Sequence, residues 1–340
     1  MRRVRRIWSE TVGYDVLASA RVLDLLRRFD LSLLVAVRPW NVAKLGELSR
    51  ACLGAGVPLA LWPMLADEDG RWANVQNANT FATLVRDALG ASEAALRAEP
   101  EVAVDLEPSF DALRGVSAIP PRIRPLLRAR ALAKRSRAGD PITLLAHELA
   151  ARGARGSATI IPLVLLDDDE DGERGVRTPW QEILGTPLDR RAWSRVNVML
   201  YTSLLEGWSR GLLERQHALD LLDAASRATS RRFGDMASLS LGAVGVGAFG
   251  NEPVYRTPQE LAEDVSVANR AGIDDLTLLD LGGVLARGPA ERWLEVFCGT
   301  PSSAVGPVSP ARSLTFRARA ALFALGGATR TLGTVIGRSR

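Results

Sequence analysis

Short apolar stretches alternate with longer amphipathic stretches along most of the chain, and this alternation limits the possible folds more than any other feature. Eight apolar stretches are typical of β-strands, and each is followed by a pattern typical of a helix. The predicted strands cover residues 5–10, 31–37, 57–64, 101–107, 157–166, 195–203, 238–247 and 274–283. Strands that alternate with helices pair in parallel and are covered by the helices. The sequence therefore predicts an α/β protein with a parallel sheet.

The number of these units indicates how the sheet is arranged. Eight strand–helix units within about 300 residues favour a closed (β/α)8 TIM barrel, and an open doubly wound sheet is the alternative. Residues 113–152 are too long for one ordinary helix and contain three prolines, which indicates a loop followed by one or two helices. We predict a barrel over residues 1–301, and a linker with a basic, partly apolar C-terminal tail over residues 302–340.

Composition restricts the classes of partner and cofactor. Basic and acidic residues nearly balance, with 43 Lys and Arg against 39 Asp and Glu, and no nucleic-acid-binding motif accompanies them. Two cysteines and two histidines are too few for a disulfide framework or a histidine-rich metal centre, so we expect no metal and no cofactor. The basic N-terminus lacks the apolar segment of a signal peptide, and no apolar run reaches the length of a membrane span. These features predict a cytoplasmic protein that binds no nucleic acid and has no integral membrane segment.

Two carboxylates close the fourth predicted strand. Side chains alternate along a strand, so Ala103, Asp105 and Glu107 share one face. Two acids on one face lose solvation and repel each other unless that face opens onto a polar site. Because the active sites of (β/α)8 enzymes lie at the C-terminal ends of the strands, we expect Asp105 and Glu107 to belong to such a site.

The ends of the other strands carry aromatic and charged residues that we expect on the same rim. Tryptophan faces stack on sugar rings, and paired carboxylates catalyse glycoside hydrolysis. We therefore predict a small-molecule or oligosaccharide ligand. The residues predicted to bind it are Glu10, Arg38, Trp40, Trp62, Trp72, Glu252, Tyr255 and Asp280. Alternation also predicts that Leu276, Leu278 and Asp280 share the inner face of the eighth strand, as Asn197, Met199 and Tyr201 share that of the sixth.

Two short motifs carry a resemblance to a known family. Asp105-Leu106-Glu107 at the end of the fourth strand and Met199-Leu200-Tyr201 at the end of the sixth resemble the chitinase-type glycoside hydrolases of family eighteen. The resemblance covers the order of strands and helices in the barrel, over about residues 1–300. It implies that Glu107 is the general acid, that Asp105 adjusts the pKa of Glu107, and that Tyr201 holds the substrate or stabilises developing charge.

The chain departs from the family pattern at two positions. The family has another acid two residues before the aspartate, where this chain has Ala103, and an aspartate after the tyrosine, where it has Thr202. The resemblance therefore does not extend to the substrate-assisted acetamido mechanism or to chitin. The second catalytic carboxylate is left open among Asp105, Glu10, Glu252 and Asp280. A barrel that binds a saccharide without cleaving it, and a metal-dependent lyase or isomerase, are the alternative functions.

Three further segments have a functional and a structural interpretation. The glycines of GVGAFG at 245–250 match a dinucleotide-binding pattern, but no helical pattern follows directly, which favours a turn over a phosphate-binding loop. The acidic run at 167–171 is interpreted as a solvated loop and, alternatively, as a cation site. Residues 71–79 are either a sugar-contacting loop or a helix N-cap.

Overall fold

The computed structural model describes residues 3–92, 100–109, 140–167, 179–209, 213–247 and 250–299. Eight parallel strands form a closed barrel in sequence order, and the first strand pairs with the last, which confirms the (β/α)8 prediction. The predicted tail at 302–340 and residues 113–139 of the long insertion lie outside the described residues. The strands are β1 Val4–Ser9, β2 Leu31–Val37, β3 Leu59–Pro63, β4 Glu101–Leu106, β5 Arg155–Ile160, β6 Arg195–Leu200, β7 Ala237–Gly242 and β8 Asp275–Leu279.

Four of the strands, β5 to β8, end three or more residues earlier than predicted. The apolar run after β5 turns into a 3-10 helix over Pro162–Leu166, because proline has no N–H to donate to a neighbouring strand. A helix begins at Thr202 directly after β6, and β7 ends at Gly242. Apolar residues therefore continue beyond the sheet at these points, which makes an apolar run a poor guide to the end of a barrel strand.

Helices cover the outside of the barrel. The C-terminal glycine predicted for the third helix is Gly56, which adopts a left-handed conformation. Asp140 caps the helix that precedes β5 by accepting hydrogen bonds from the backbone N–H groups of Ile142 and Thr143. The helices are α1 Tyr14–Leu17, α2 Ala20–Arg28, α3 Leu45–Ala55, α4 Ala78–Ser92, α5 Pro141–Ala151, α6 Pro179–Leu184, α7 Thr202–Trp208, α8 Arg215–Phe233, α9 Pro258–Arg270, α10 Leu281–Ala286 and α11 Ala290–Cys298.

In the parts of the chain that the structure describes, no helix is both long enough and apolar enough to cross a lipid bilayer.

The buried side chains form two apolar clusters. The larger lies between strands and helices and contains Val102 and Val104, whereas the smaller lies inside the barrel and contains Ala103, as the alternation predicts for β4. The prediction for β8 is wrong: Leu276 and Leu278 pack in the outer cluster. Apolar residues occupy both faces of a barrel strand, so hydrophobicity alone does not identify the inner face. The inner cluster consists of Trp8, Leu34, Ala36, Ala60, Trp62, Met64 and Ala103.

A network of four charged side chains, three of them buried and Asp275 half-buried, fills the N-terminal end of the barrel. The Arg6 and Arg195 guanidinium groups both donate to the Glu101 carboxylate, at 2.9 Å and 2.8 Å. They also pair with Asp275, at 3.1 Å and 3.0 Å. Two positive and two negative charges from β1, β4, β6 and β8 thus balance one another, which is the condition under which buried charges are tolerated.

Candidate active site

Asp105 lies at the C-terminal end of β4 and is buried. Its Oδ2 accepts a hydrogen bond of 2.9 Å from Nε1 of Trp62, and the Trp62 ring packs on that of Trp8 with centroids 4.4 Å apart. Burial raises the pKa of Asp105 to about 7, and the negative charge of Glu10 acts in the same direction. Trp62, packed against Trp8, therefore holds a carboxyl group whose pKa of about 7 lies near neutral pH.

Glu107 follows β4 directly and is also buried. Burial raises the pKa of its carboxyl well above the ordinary value, and the negative charges of Asp105 and Glu10 raise it further. Adjacent carboxyl groups ionise one after another, because the first negative charge disfavours the next, and the surroundings of Glu107 favour its protonated form. Glu107 is therefore suited to donate a proton at neutral pH.

Tyr201 follows β6 and lies at the N-terminus of α7. Burial raises the pKa of its phenol well above the ordinary value, and the charges of Asp105 and Glu107 contribute to this increase. The phenol therefore stays protonated and can donate a hydrogen bond. The structure thus brings Tyr201 together with Asp105 and Glu107, the three residues that the sequence assigned to catalysis.

Arg71 connects the loop after β3 to the end of β1. Its Nη1 donates to Oε1 of Glu10 at 2.7 Å, and its Nε and Nη2 donate to the two oxygens of Asp67, each at 2.8 Å. Asp67 also accepts from Nη2 of Arg38 at 2.8 Å, and the two arginines lower the pKa of Asp67 to about 2. Arg71 has a φ angle of 57°, a left-handed conformation that is uncommon for arginine and that often marks a functional site.

Neither Arg71 nor Asp67 was predicted from the sequence as a site residue. Both belong to the segment between β3 and α4, and Ala73 in this segment makes a parallel bridge to Leu106 that places the segment beside the end of β4. Asn77 accepts a hydrogen bond from the Asn74 backbone at 3.0 Å within the loop, and the Asn74 side chain donates to the backbone carbonyl of Glu107 at 3.4 Å. Only the Trp-Asn-rich composition of residues 71–79 indicated that the loop had a role.

Three acidic residues gather at the ends of β1, β7 and β8. Burial raises the pKa of Glu10 to about 7 against the opposing effect of Arg71, and the charges of Asp280 and Glu252 contribute to the increase. Burial also raises the pKa of Asp280, whose Oδ1 accepts a hydrogen bond of 2.9 Å from the Gly283 backbone and so caps α10. The site therefore has more carboxyl groups than arginines.

A cleft of about 810 Å³ opens beside Glu10, over the ends of β1, β2 and β3. Glu10, Arg38 and Arg71 line it together with Trp40. Trp40 is 67% exposed, and the Arg38 guanidinium lies 4.6 Å from its ring centroid. An exposed aromatic ring at the edge of a polar cleft provides a surface on which a sugar ring can stack.

Three predicted ligand-binding aromatics occupy buried positions instead. Trp62 holds Asp105, and Trp72 packs near the Arg71 guanidinium, 5.7 Å from its ring centroid. The Tyr255 hydroxyl donates a hydrogen bond of 2.6 Å to Asp264 on α9. The structure therefore does not bring Tyr255 to Asp105 and Glu107. Trp62 and Trp72 contact residues of the site, but they are buried and do not face the cleft.

The glycine-rich segment after β7 has a packing role. A Cβ atom on Gly245 would lie 2.4 Å from Oδ1 of Asp280, and one on Gly283 would lie 2.2 Å from the Gly245 backbone nitrogen. Glycines therefore allow this loop to approach the start of α10. Gly247 lies beside the acidic side chains of Glu10 and Glu252, which does not favour binding of a phosphate.

The acidic run at 167–171 is described only at its first residue. Asp167 caps α6 by accepting hydrogen bonds from the backbone N–H groups of Trp180 and Gln181. Residues 168–171 lie outside the described residues. Within the described ranges, no three His, Cys, Asp or Glu side chains are arranged so that they could hold a metal ion.

Comparison with known proteins gives matches in structure only. No protein-family model matches the chain, and no curated protein sequence matches it significantly. The glycoside hydrolase domain of PgaB (BpsB) from Bordetella bronchiseptica is 13% identical, with a TM-score of 0.53 over 87% of this chain and 99% of that domain. A sugar phosphate isomerase/epimerase from Parabacteroides distasonis ATCC 8503 is 11% identical, with a TM-score of 0.45 over 88% of this chain and 94% of that one. The PgaB likeness shows a shared (β/α)8 fold, and membership of family eighteen has no support from these matches.

Proposed function

We propose that the protein is a glycoside hydrolase in which Glu107 is the general acid. The observation that carries this proposal is the buried Glu107 carboxyl, whose pKa is raised well above its ordinary value beside Asp105 and Glu10. A carboxyl group that keeps its proton at neutral pH can protonate the leaving oxygen as a glycosidic bond breaks. The glycoside hydrolase domain of PgaB has the same fold, so such a barrel accommodates this class of reaction.

Asp105 and Tyr201 support the same assignment. An ionised Asp105 beside Glu107 opposes the loss of the Glu107 proton, because two adjacent negative charges repel each other. The Tyr201 phenol stays protonated beside them and can donate a hydrogen bond to the sugar or to charge that develops during the reaction. We assign substrate contacts to the residues around the cleft, of which Trp40 provides the exposed ring.

The test compares the wild-type protein with Glu107→Gln on reducing-end release from chitin, glucan, xylan and deacetylated chitin oligosaccharides. Glu107→Gln is expected to lower kcat/KM by about 100-fold or more, because it removes the proton donor. Glu295→Gln, at an exposed position on α11, is the matched control and should keep the wild-type rate. Cleavage by Glu107→Gln at the wild-type rate would contradict the assignment.

Glu107→Gln should not unfold more easily than the wild-type protein. The folded-state pKa of Glu107 is raised, so its contribution to stability is present at low pH and is lost as the pH rises. Glutamine resembles the neutral form and is free of this loss. Thermal unfolding at pH 8 is therefore expected at the same or a higher temperature, which separates lost catalysis from lost folding.

A saccharide-binding barrel without hydrolytic activity is the second candidate. Thr202, at the position where family eighteen has an aspartate, is fully buried and donates a hydrogen bond of 2.5 Å to Asp264, so its hydroxyl is already used. This candidate predicts that the same oligosaccharides bind without release of reducing ends. Calorimetric titration of the wild-type protein and of Trp40→Ala would detect it, since loss of the exposed ring should weaken binding.

A further inference from the structure

Glu10 is held at a fixed position by one of its two oxygens. Its Oε1 accepts the 2.7 Å hydrogen bond from Arg71, and both side chains are about one-tenth exposed. Arg71 is itself fixed by its two hydrogen bonds to Asp67. This arrangement restricts rotation of the Glu10 carboxylate, so the direction of Oε2 is defined.

Oε2 of Glu10 borders a gap that exists because residue 247 is glycine. A Cβ atom on Gly247 would lie 3.3 Å from Oε2 of Glu10 and 3.2 Å from Oε1 of Glu252. Glu10 and Gly247 both line the cleft, so the absence of a side chain at residue 247 leaves Oε2 of Glu10 open to a water molecule that enters from the cleft and donates a hydrogen bond to it. The Gly247 side of Glu10 is therefore where a water molecule can reach this carboxylate.

Glu10 and Glu107 lie on different sides of the barrel mouth. Glu10 follows β1 and Glu107 follows β4, three strands away in a ring of eight. Each still affects the ionisation of the other residues at the mouth, since the charge of Glu10 raises the pKa of Glu107. A sugar placed at the mouth would have Glu107 on one side and the Glu10 carboxylate on the other.

We propose that Glu10 is the general base of the hydrolysis, that it activates a water molecule held beside Gly247, and that the reaction inverts the anomeric configuration. The proposal rests on the proposed glycoside hydrolase function and identifies its second carboxylate. The Glu107 proton passes to the glycosidic oxygen as the C1–O bond breaks. The water oxygen bonds to C1 from the opposite face, and its proton passes to Oε2 of Glu10. Exchange with solvent then restores both carboxyl groups.

This mechanism needs no acetamido group on the sugar. In the substrate-assisted mechanism of the resembled family, a group on the substrate attacks C1. Here the attacking atom is a water oxygen. The substrate class therefore includes sugars that carry a hydroxyl or an amine at C2. Arg71 is a positioning residue, because it acts through Glu10.

The ionisation of the two acids agrees with these roles. Glu10, with a pKa of about 7, is ionised above that pH, and burial together with the charges of Asp105 and Glu10 raises the pKa of Glu107 and favours its protonated form. The expected pH–rate profile is a bell whose acid limb reports the base and whose alkaline limb reports the acid. The charged groups that face Glu10 and affect this titration are Arg71, Asp280, Glu252, Arg38, Asp105 and Glu107.

The first test is the anomeric configuration of the first-formed product, recorded by proton NMR on the wild-type protein before mutarotation. The oligosaccharide is the one in the panel that the protein cleaves. A product of inverted configuration is expected. A product of retained configuration would overturn the proposal, because it requires two displacements at C1 instead of one.

The second test changes the base and the water position separately. Glu10→Gln is expected to lower kcat by about 100-fold or more, because the base is removed. Gly247→Ala places a methyl group in the gap and is expected to lower kcat by about tenfold or more with little change in KM, because the reacting water is displaced. Gly54→Ala is the matched control, since a Cβ atom there meets nothing within 4 Å and the wild-type rate should be kept.

The outcomes separate the two proposals. Rates for Glu10→Gln and Gly247→Ala within twofold of the wild-type rate, with cleavage still dependent on Glu107, would overturn the assignment of Glu10 and leave the hydrolase assignment in place. Failure of the wild-type protein to cleave any oligosaccharide of the panel would overturn the proposed function, and the role of Glu10 with it.

Discussion

Replacing Glu101 by glutamine is expected to lower the free energy of unfolding by about 3–5 kcal/mol, the range measured when one partner of a buried ion pair is removed. Glu101 accepts from both Arg6 and Arg195 inside the barrel. Without it, two buried guanidinium groups share the single charge of Asp275. Chemical denaturation at pH 7 measures the loss.

The pH dependence of this loss follows from the ionisation of Glu101. Burial disfavours the charged form, but Arg195 and Arg6 outweigh it and lower the pKa of Glu101 from 4.5 to about 2. A lowered pKa contributes stability that is present above pH 4.5 and is lost as the pH falls towards 2. The difference in stability between the wild-type protein and Glu101→Gln should therefore narrow over that interval.

The control for this prediction is Glu295→Gln, the same chemical change at an exposed position on α11. It is expected to change the free energy of unfolding by less than about 0.5 kcal/mol. A loss below about 1 kcal/mol for Glu101→Gln, or a loss that does not depend on pH, would show that the charge network contributes little to stability.

Asp264→Ala is expected to destabilise the protein by about 3 kcal/mol or more, because it leaves several buried donors without an acceptor. Its carboxylate accepts from the hydroxyls of Thr202 and Tyr255 and from the Arg215 guanidinium, at 2.5, 2.6 and 2.8 Å. These groups join α7, α8, α9 and the loop before α9. Chemical denaturation measures the effect.

The matched control is Asp223→Ala on α8. Asp223 also pairs with an arginine, Arg227, at 2.9 Å, but this pair lies on the surface and should contribute less than about 1 kcal/mol. Equal effects of the two substitutions would contradict the role of Asp264. Because Thr202 follows Tyr201 in sequence, Asp264→Ala should also lower kcat if cleavage is detected, whereas Asp223→Ala should leave it unchanged.

The order of strands and helices in the barrel could be predicted from the sequence because it depends on local patterns. Each strand and the helix after it carry their own periodicity, and eight such units leave few arrangements. The shared face of Asp105 and Glu107 was predictable for the same reason, since alternation along one strand needs no information about other strands. The inner face of β8 was not predictable, because Leu276 and Leu278 are as apolar as an interior would require yet pack towards the helices.

The parts of the site that the sequence did not predict depend on long-range contacts. Arg71 reaches Glu10 across 61 residues of sequence, and its backbone conformation gives no local signal. Tyr255 belongs to a loop at the correct end of the barrel, but its hydroxyl is taken by Asp264. Position along the chain predicts which residues reach the rim, whereas hydrogen-bond partners determine which of them face the ligand.

Strand β4 has a consequence for how the protein can change during evolution. One face of this strand carries Glu101 at one end and leads to Glu107 at the other, and the strand rise of about 3.3 Å per residue places them roughly 20 Å apart. Substitutions at the mouth therefore leave the charge network at the base intact. The loops at the mouth can accumulate mutations that alter substrate preference while the base maintains a folded barrel. Substitutions should accordingly affect folding little in the loops at the mouth and strongly at the base, where the charge network consists of Arg6, Glu101, Arg195 and Asp275.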